Sequence, residues 1–468
     1  DRVYTAAQAY GWLPAPVRAG YAFGGWNTAT NGTGTAVTTN SVVPYVTTNY
    51  TLYAAWTASE GADYTYLVTN GAVTITGYKG AGGDVIIPAS IDGYPVAAIG
   101  IYSAEDYEEG VPADTDVCFS GSKTLTSVTI PNSVKSIGCL AFDMCPALTN
   151  VVMGTGITNI DNGAFSNCSN LIHVALSGAL QRIGVVAFAS CVRLPSVVIP
   201  ESVTEVGAWA FWNCGFADVY IPAAVMQIGD GAFACPNLTN LTVAATNRDY
   251  LSDGGVLLNQ ARTVIAQCPG ARVGSYCVPE TVTNIAGGTF SGCRSLTSVS
   301  IPGSVVRIGE YAFEACTNLT GIVIPAQVAW IGDWAFSYCD RLSRIWFMGD
   351  AADLAMEYDV ADTTFEGTSA TVFYVAGTKK WTSTYGGLTT AVWTAGVTFN
   401  AGAGTPSFAS RTYNVGNAYG ELPTANRSGY TLSGWNTVAN GSGTAVTAST
   451  LVPYSTTNYS LYAVWAAM

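Results

Sequence analysis

A repeated unit of about 23 residues runs through the middle of the chain and constrains its fold more than any other feature. The copies vary around the pattern Ile-Pro-x-Ser-Val-x-x-Ile-Gly-x-x-Ala-Phe-x-x-Cys-x-x-Leu, which is clearest from Ile301 to Leu319. The phenylalanine recurs at Phe119, Phe142, Phe165, Phe188, Phe211, Phe233, Phe290, Phe313 and Phe336. Self-similarity at a fixed period of this length is typical of a solenoid, in which each unit buries its apolar face only against its neighbours.

Within each unit, a Leu-x-x-Val-x-Ile segment such as Leu125 to Ile130 alternates with period two. This pattern predicts a short strand, and stacked copies form a parallel sheet with about 4.8 Å between strands. A proline such as Pro131 ends the strand, because proline cannot donate the next ladder hydrogen bond. The Ile-Gly-x-x-Ala-Phe stretch then returns along the opposite face, which stacks the phenylalanines into an internal column.

The repeat pattern resembles the BspA-type leucine-rich repeat over roughly Asp63 to Val392. The resemblance extends to an irregular unit near 244–285, where Tyr250 to Asn259 and Ile265 to Gly270 resemble the hairpin-bearing unit often inserted in such arrays. It implies a mainly β fold: a leucine-rich-repeat solenoid with a parallel sheet on one face.

A second repeat brackets the solenoid. Residues Arg2 to Thr57 align without a gap to Arg411 to Ala466, with 32 of 56 positions identical. Short alternating strands between Gly, Asn and Pro turns indicate a small β-rich module. It resembles the internalin B-repeat, also called the Listeria–Bacteroides repeat, which is β-grasp-like. We therefore divide the chain into a module at 1–58, the solenoid at 62–393 and a module at 395–468.

The two modules differ at their start. The C-terminal copy opens with Val397 to Asn400, which we interpret as its first strand, whereas the N-terminal copy begins after the equivalent point. One interpretation is that the first strand of the N-terminal module was removed, either where the chain was cut from a longer one or by proteolysis. The other is an exposed edge that a strand from another chain completes, which would build a head-to-tail filament.

The chain has twelve cysteines, and eight of them follow the repeat phenylalanine closely. These are Cys145, Cys168, Cys191, Cys214, Cys235, Cys293, Cys316 and Cys339. We expect this column to be buried free thiols, since its spacing does not match a zinc site. Cys268 and Cys277 flank a Pro-Gly turn and are candidates for a disulfide, and Cys118 and Cys139 are a weaker candidate pair.

Charge excludes several classes of partner. The net charge of -13 disfavours nucleic acid and anionic membrane surfaces, and no run approaches the ~18 apolar residues of a membrane span. Without a leader at its start or an anchor after Met468, an exported chain is expected to be a mature form or a piece. Two acidic stretches, near 105–116 and 350–362, lack a calcium-loop pattern, so we expect no metal and no cofactor.

Catalysis finds little support in the sequence. His173 is the only histidine, and its register places it on the solvent side of a strand. No phosphate loop, Gly-x-Ser-x-Gly elbow or His-Glu-x-x-His motif is present. We therefore expect a protein that is not an enzyme.

Exposed positions of the stacked strands are the candidate binding residues. Reading two outward columns gives the candidates Asn150, His173, Asp218, Tyr220, Asn240, Arg344 and Trp346. Neither column carries a coherent charge, and Tyr220 and Trp346 are the only large aromatic residues in them. These two are typical of binding hot spots, although a simply solvated sheet is the competing interpretation.

Resemblance to BspA-type surface proteins implies an extracellular or cell-surface interaction protein, adhesin-like, with a protein or glycan partner. The alternative is a structural subunit of an extracellular fibre or surface layer, joined to other copies of itself by strand complementation of the terminal modules.

Overall fold

The computed structural model describes residues 3–11, 13–14, 16, 21–30, 33–46, 49–58, 61–100, 118–354 and 363–468. These residues contain strands, bends and turns and no helix, which confirms the predicted fold class. The chain forms two compact units: Asp1–Gly215 with Ala224–Gly229, and Phe216–Ala223 with Asp230–Met468. This division falls inside the repeat array, so the boundaries predicted from sequence near residues 58 and 393 stay predictions.

The first unit opens with a three-stranded antiparallel sheet. Its strands are β1 (Tyr21–Asn27), β2 (Ala36–Val37) and β3 (Tyr53–Ala58). The central strand β1 pairs with β2 on one side and β3 on the other. A small core of Tyr10, Val37 and Val43 lies beneath it.

The solenoid part of the first unit has two ladders, one on each side of the core. Its strands are β4 (Tyr64–Thr69), β5 (Ala72–Tyr78), β6 (Gly83–Ile86), β7 (Ser90–Ile91), β8 (Tyr94–Ile99), β9 (Leu125–Thr129), β10 (Ser136–Ile137), β11 (Asn150–Val152), β12 (Asn159–Ile160), β13 (His173–Ala175), β14 (Arg182–Ile183), β15 (Glu205–Val206) and β17 (Gln227–Ile228). The ladder β6-β9-β11-β13 contains the predicted Leu-x-x-Val-x-Ile strands, and we call it and its equivalents the front strands. The back ladder runs β4-β5-β8-β10-β12-β14-β15-β17.

The second unit continues the same plan. Its solenoid strands are β16 (Asp218–Ile221), β18 (Asn240–Val243), β19 (Tyr250–Asp253), β20 (Val256–Asn259), β21 (Val264–Gln267), β22 (Gly274–Cys277), β23 (Asn284–Ile285), β24 (Leu296–Ser300), β25 (Arg307–Ile308), β26 (Gly321–Ile324), β27 (Trp330–Ile331), β28 (Arg344–Phe347), β29 (Asp353–Leu354), β30 (Thr371–Tyr374), β31 (Thr384–Tyr385) and β32 (Leu388–Val392). The front strands fall into three separate ladders, β16-β18, β22-β24 and β26-β28-β30-β32. The irregular unit forms the antiparallel strands β19, β20 and β21.

The C-terminal module belongs to the second unit. Its strands are β33 (Thr394–Asn400), β34 (Thr405–Pro406), β35 (Ser410–Asn414), β36 (Ala425–Asn426), β37 (Tyr430–Asn436), β38 (Ala445–Val446) and β39 (Tyr459–Ala467). The main sheet has the order β35-β33-β39-β37-β38, in which β33 and β39 are parallel. The first strand predicted at Val397 to Asn400 is therefore the second half of β33, between two partners.

The repeat phenylalanines stack as predicted. In the first unit, Phe165 lies 5.0 Å from Phe142 and 5.2 Å from Phe188 between ring centroids, with nearly parallel planes. In the second unit, the Phe313 ring lies 5.0 Å from that of Phe336. These five rings and that of Phe211, which continues the first column, are buried. A fully buried phenylalanine contributes about 1.5–3 kcal/mol relative to an exposed one, so the column is a main source of stability.

The turns beside this column use left-handed backbone, in several repeats at residues other than glycine. Val186 has a φ of 49°, and the equivalent position one repeat earlier is Gly163, with a φ of 65°. The Val186 amide donates to the Ala208 carbonyl at 2.9 Å, and the Gly163 amide donates to the Val185 carbonyl. Hydrogen bonds between successive repeats therefore hold a conformation that costs a β-branched residue energy.

The cysteine column is also buried and free, as predicted. The Cys168 thiol donates to the Phe142 carbonyl, and the Cys339 thiol donates to the Phe313 carbonyl, both at 3.1 Å. Burial raises the pKa of Cys339 to about 12. These thiols pack in the core and donate hydrogen bonds, and burial shields them from reagents in solvent.

One predicted front strand is missing. The segment from Leu194 to Pro200 matches the repeat pattern but has no strand assignment. Its second residue, Pro195, stands where Thr149 donates its amide to the carbonyl of Thr126 in an earlier repeat. Because proline has no amide hydrogen, this ladder bond cannot form.

No helix among the described residues is long and apolar enough to cross a membrane. The acidic stretch near 105–116 and the residues Glu357, Asp359 and Asp362 lie outside the described ranges. Of the remaining acidic residues there, Asp350 accepts a hydrogen bond from the Lys379 amide and Asp353 pairs with Lys380.

Candidate ligand groove on the front face

The seven predicted binding residues lie on front strands, but they form three separate groups. The first is Asn150 and His173, which are register partners in the ladder β11-β13, with His173 Nδ1 2.9 Å from the Asn150 side-chain oxygen. His173 is exposed and Asn150 is half-buried. This contact joins an imidazole to an amide, so it supplies no carboxylate for acid–base chemistry.

The second group lies on β16 and β18. Asp218 pairs in register with Asn240, and Tyr220 pairs with Thr242. Asp218 and Tyr220 are exposed, whereas Asn240 is half-buried. Tyr220 therefore remains an accessible aromatic side chain on the front face.

The third group, Arg344 and Trp346 on β28, requires a correction. Arg344 is exposed as predicted, but Trp346 is half-buried and packs against the core of the C-terminal module. Its ring lies 6.1 Å from Trp393 and 6.1 Å from Phe373 between centroids. Trp346 does point outward from the solenoid, but the C-terminal module covers much of it.

Cys268 and Cys277, the candidates for a disulfide, are both free thiols in the structure. Cys268 is fully buried, and its thiol hydrogen bond with Cys293 raises the pKa of Cys293. Cys277 is exposed at the end of β22. One side chain faces the core and the other faces solvent, so they do not meet across the turn. The weaker pair, Cys118 and Cys139, also consists of buried free thiols.

A groove of about 600 Å³ lies on the front face of the second unit. Its sides are formed by outward residues of β22, β24, β26 and β28, together with Thr456 of the C-terminal module. This volume is in the range of small-molecule sites, about 300–1,000 Å³. The groove follows a break in the sheet: β24 ends one ladder and β26 begins the next, with no register pairing between them.

Gly321 makes the space at the groove floor. It lies beside Arg344 in the register of β26 and β28. A Cβ at this position would be 2.7 Å from the Cζ3 atom of Trp346. The indole ring therefore lies across the glycine, and no side chain at 321 fills the space between Arg344 and the hydroxyls of β24.

The groove is polar and carries one charged side chain. Exposed hydroxyls come from Ser275, Ser298, Ser300 and Thr320. Among the described residues of the lining, Arg344 is the only charged one, and none of them is a carboxylate. Among the described residues, its guanidinium has no hydrogen-bond or ion-pair partner. Burial raises the pKa of Tyr276, also in the lining, to about 12, so it stays neutral.

The C-terminal module holds one wall of the groove in place through Trp393. The Trp393 indole nitrogen donates to the Ser455 carbonyl at 3.1 Å, next to Thr456. The Trp393 carbonyl accepts a hydrogen bond from Val415. Trp393 also belongs to the same buried cluster as Val397 and Leu461 in the module sheet. The module and the last solenoid strands therefore share one core.

The repeat pattern predicts Arg344 and Trp346 as outward residues, but it does not predict the groove. One signal was available, since Gly321 is the only glycine in its outward column. The break between β24 and β26 and the position of Thr456 have no local sequence signal. Within the described ranges, no group of three His, Cys, Asp or Glu side chains has a metal-binding arrangement.

Comparison with known families fits the repeat geometry. The profile of the BspA type leucine rich repeat region matches six copies, at residues 115–214, 176–253 and 271–371, which cover just over half of the chain. The chain belongs to the BspA-type leucine-rich-repeat family. The Listeria-Bacteroides repeat domain matches at residues 2–55 and 396–464.

Several solved bacterial structures are similar to this chain. A leucine rich cell surface protein from Faecalibacterium prausnitzii A2-165 is 23% identical with a TM-score of 0.46, covering 68% of this chain and 94% of that one. A leucine-rich repeat protein from Eubacterium ventriosum is 22% identical with a TM-score of 0.43, covering 66% and 76%. The pneumococcal vaccine antigen PcpA is 17% identical with a TM-score of 0.49, covering 70% and 96%. A search of curated protein sequences gave no match.

Proposed function

We propose that this BspA-type protein is an extracellular or cell-surface interaction protein that binds a protein or glycan partner through its front face. The observation that carries this proposal is the groove at β24 and β26, which combines about 600 Å³ of space with unpaired polar groups. Small-molecule and glycan sites are concave and carry a few convergent polar groups. A sheet that is simply solvated does not account for so many unpaired polar groups in one groove.

Family membership supports the same location and role. A structural relative is described as a leucine rich cell surface protein, and another as a vaccine antigen. We extend the surface location to this chain as part of the proposal. A binding role, not catalysis, also suits the chemistry, because the sole histidine contacts the amide of Asn150.

A blocking substitution tests the proposal. The full chain is applied to a glycan array and to a panel of immobilised extracellular-matrix proteins. Ser298→Trp fills the groove, whereas Ser196→Trp places the same side chain at an equivalent exposed column position outside it. We expect the wild-type chain and Ser196→Trp to be retained on the array or on a matrix protein, and Ser298→Trp to lose this binding. Equal retention by both variants would contradict a role for the groove.

A fibre subunit is the second candidate, and one observation favours it. Strand β39 pairs on both sides, with β33 and β37, whereas its counterpart β3 pairs only with β1 among the described residues. An unpaired strand edge accepts an added strand. Light scattering with and without a peptide copying Val397 to Ser410 tests this: peptide-sensitive filaments support strand exchange, and monomers indifferent to the peptide contradict it.

A further inference from the structure

We propose that the groove binds a carboxylated saccharide, with the Arg344 guanidinium as the partner of the carboxylate. This inference rests on the proposed function, since it names the ligand class of the same front-face groove. Three features of the groove carry it: an unpaired cation, a set of unpaired hydroxyls, and an aromatic ring over an empty floor.

Arg344 sets the charge of the ligand. It is exposed, it is the only charged residue in the lining, and no carboxylate of the described chain neutralises it. A guanidinium presents a planar fork of donors that matches a carboxylate in two hydrogen bonds. The overall charge of -13 repels an anionic ligand only weakly at long range, because physiological salt screens exposed charges beyond about 8 Å. Inside the groove, the nearby Arg344 guanidinium therefore has the larger effect on the charge of the ligand that binds.

The hydroxyls point to a saccharide more than to an acidic peptide. Ser275, Ser298, Ser300 and Thr320 are exposed in the lining, and their side-chain oxygens have no hydrogen-bond partner in the described structure. A hydroxyl both donates and accepts, as do the hydroxyls of a sugar. An extended peptide would instead need pockets for its alternate side chains, whereas these small hydroxyl side chains line the groove.

Trp346 supplies an apolar contact beside the cation. Its six-membered ring extends over Gly321, next to Arg344 in register. An aromatic ring offers a large apolar surface with fixed geometry, which suits the C–H groups of a sugar ring. Phe373 and Trp393 hold the indole in this position, so the contact is preformed.

Calorimetry on the full chain tests the proposal with matched ligands. The probes are oligogalacturonate with its fully methyl-esterified form, and sialyllactose with its methyl ester. Each pair differs only in the free carboxylates. The two acidic probes distinguish a uronic acid from a sialic acid as the source of the carboxylate. We expect an acidic probe to bind at least about ten-fold more tightly than its neutral counterpart.

Two arginine variants provide the matched control. Arg344→Gln removes the groove cation, whereas Arg341→Gln removes another exposed positive charge, which lies outside the groove. We expect at least about a ten-fold loss for Arg344→Gln, a smaller loss for Arg344→Lys, which keeps the charge without the fork, and no loss for Arg341→Gln. Thermal melting establishes that each variant is folded.

Several outcomes would overturn the inference. They are equal binding of acidic and esterified probes, equal effects of the two glutamine variants, or binding of a glutamate-rich peptide in place of both saccharides. If no saccharide binds while Ser298→Trp still abolishes retention on a matrix protein, the proposed function stands and this inference fails. If Ser298→Trp has no effect on any partner, the proposed function fails as well.

Discussion

The indole of Trp346 lies across Gly321 on the neighbouring front strand, so close that a Cβ at residue 321 would be 2.7 Å from Cζ3. This relationship joins the repeat array to the C-terminal module, because the same indole packs against Trp393. Both residues also belong to the lining of the groove. A glycine in an otherwise side-chain-bearing column is thus a structural requirement at this position.

Adding one methyl group at this glycine tests the contact. Gly321→Ala should lower the free energy of unfolding by about 1–3 kcal/mol, because the trapped indole has to move. Gly303→Ala is the control, since nothing lies within 4 Å of a Cβ there. Urea unfolding of both variants gives the comparison, and equal stability of the two would contradict the packing described.

Thiol accessibility distinguishes the two classes of cysteine. Of the twelve cysteines, only Cys277 is exposed. A maleimide should label one thiol per native chain and all twelve after denaturation, because burial raises the pKa of thiols such as Cys339 and also blocks access. Mass spectrometry counts the labels. The native Cys277→Ser variant should take up no label. A native wild-type chain that also takes up no label would contradict the exposed free thiol and point to a disulfide between Cys268 and Cys277.

The phenylalanine column should dominate the stability of its unit. Phe165→Ala should lower the free energy of unfolding by about 3–5 kcal/mol, since it leaves a cavity between two stacked rings. Ile172→Ala removes a side chain that is 49% exposed and should cost less than about 1 kcal/mol. A loss at residue 165 no greater than at residue 172 would show that the column is not core.

Asp143 should make stability depend on pH. Burial raises the pKa of this carboxyl, although Asn167 hydrogen bonds to it. A carboxyl with a raised pKa in the folded state contributes stability that is fully present below its unfolded pKa, about 3.9, and that is lost as pH rises through the folded value. Relative to Asp143→Asn, wild type should therefore lose stability from acidic to neutral pH. Unfolding curves at several pH values check the sign, and a relative gain would contradict it.

The solenoid could be predicted because its periodicity is an expression of its packing. Phe165 and Cys168 recur in every unit since each must fill the same place between two ladders, so their positions follow from the sequence alone. Local chemistry explains the exception at Pro195, where a missing amide hydrogen interrupts a ladder.

The groove could not be predicted because it depends on contacts far apart in the chain. Alternation correctly turns Trp346 outward, but only the structure shows that the C-terminal module covers it. Thr456 reaches the groove from a loop of that module. Cys268 and Cys277 flank a turn and were candidates for a bond, whereas the structure buries Cys268 and exposes Cys277.

Blocking the groove chemically tests the central claim most directly. Cys277 lines the groove and is the only exposed thiol, so a bulky maleimide can be placed there without mutation. Retention on the glycan array and matrix-protein panel is measured before and after labelling, with labelled Cys277→Ser/Gly303→Cys as the control that carries the same group elsewhere. We predict that labelled wild type loses retention and the labelled control keeps it; equal retention of both would contradict binding through the groove.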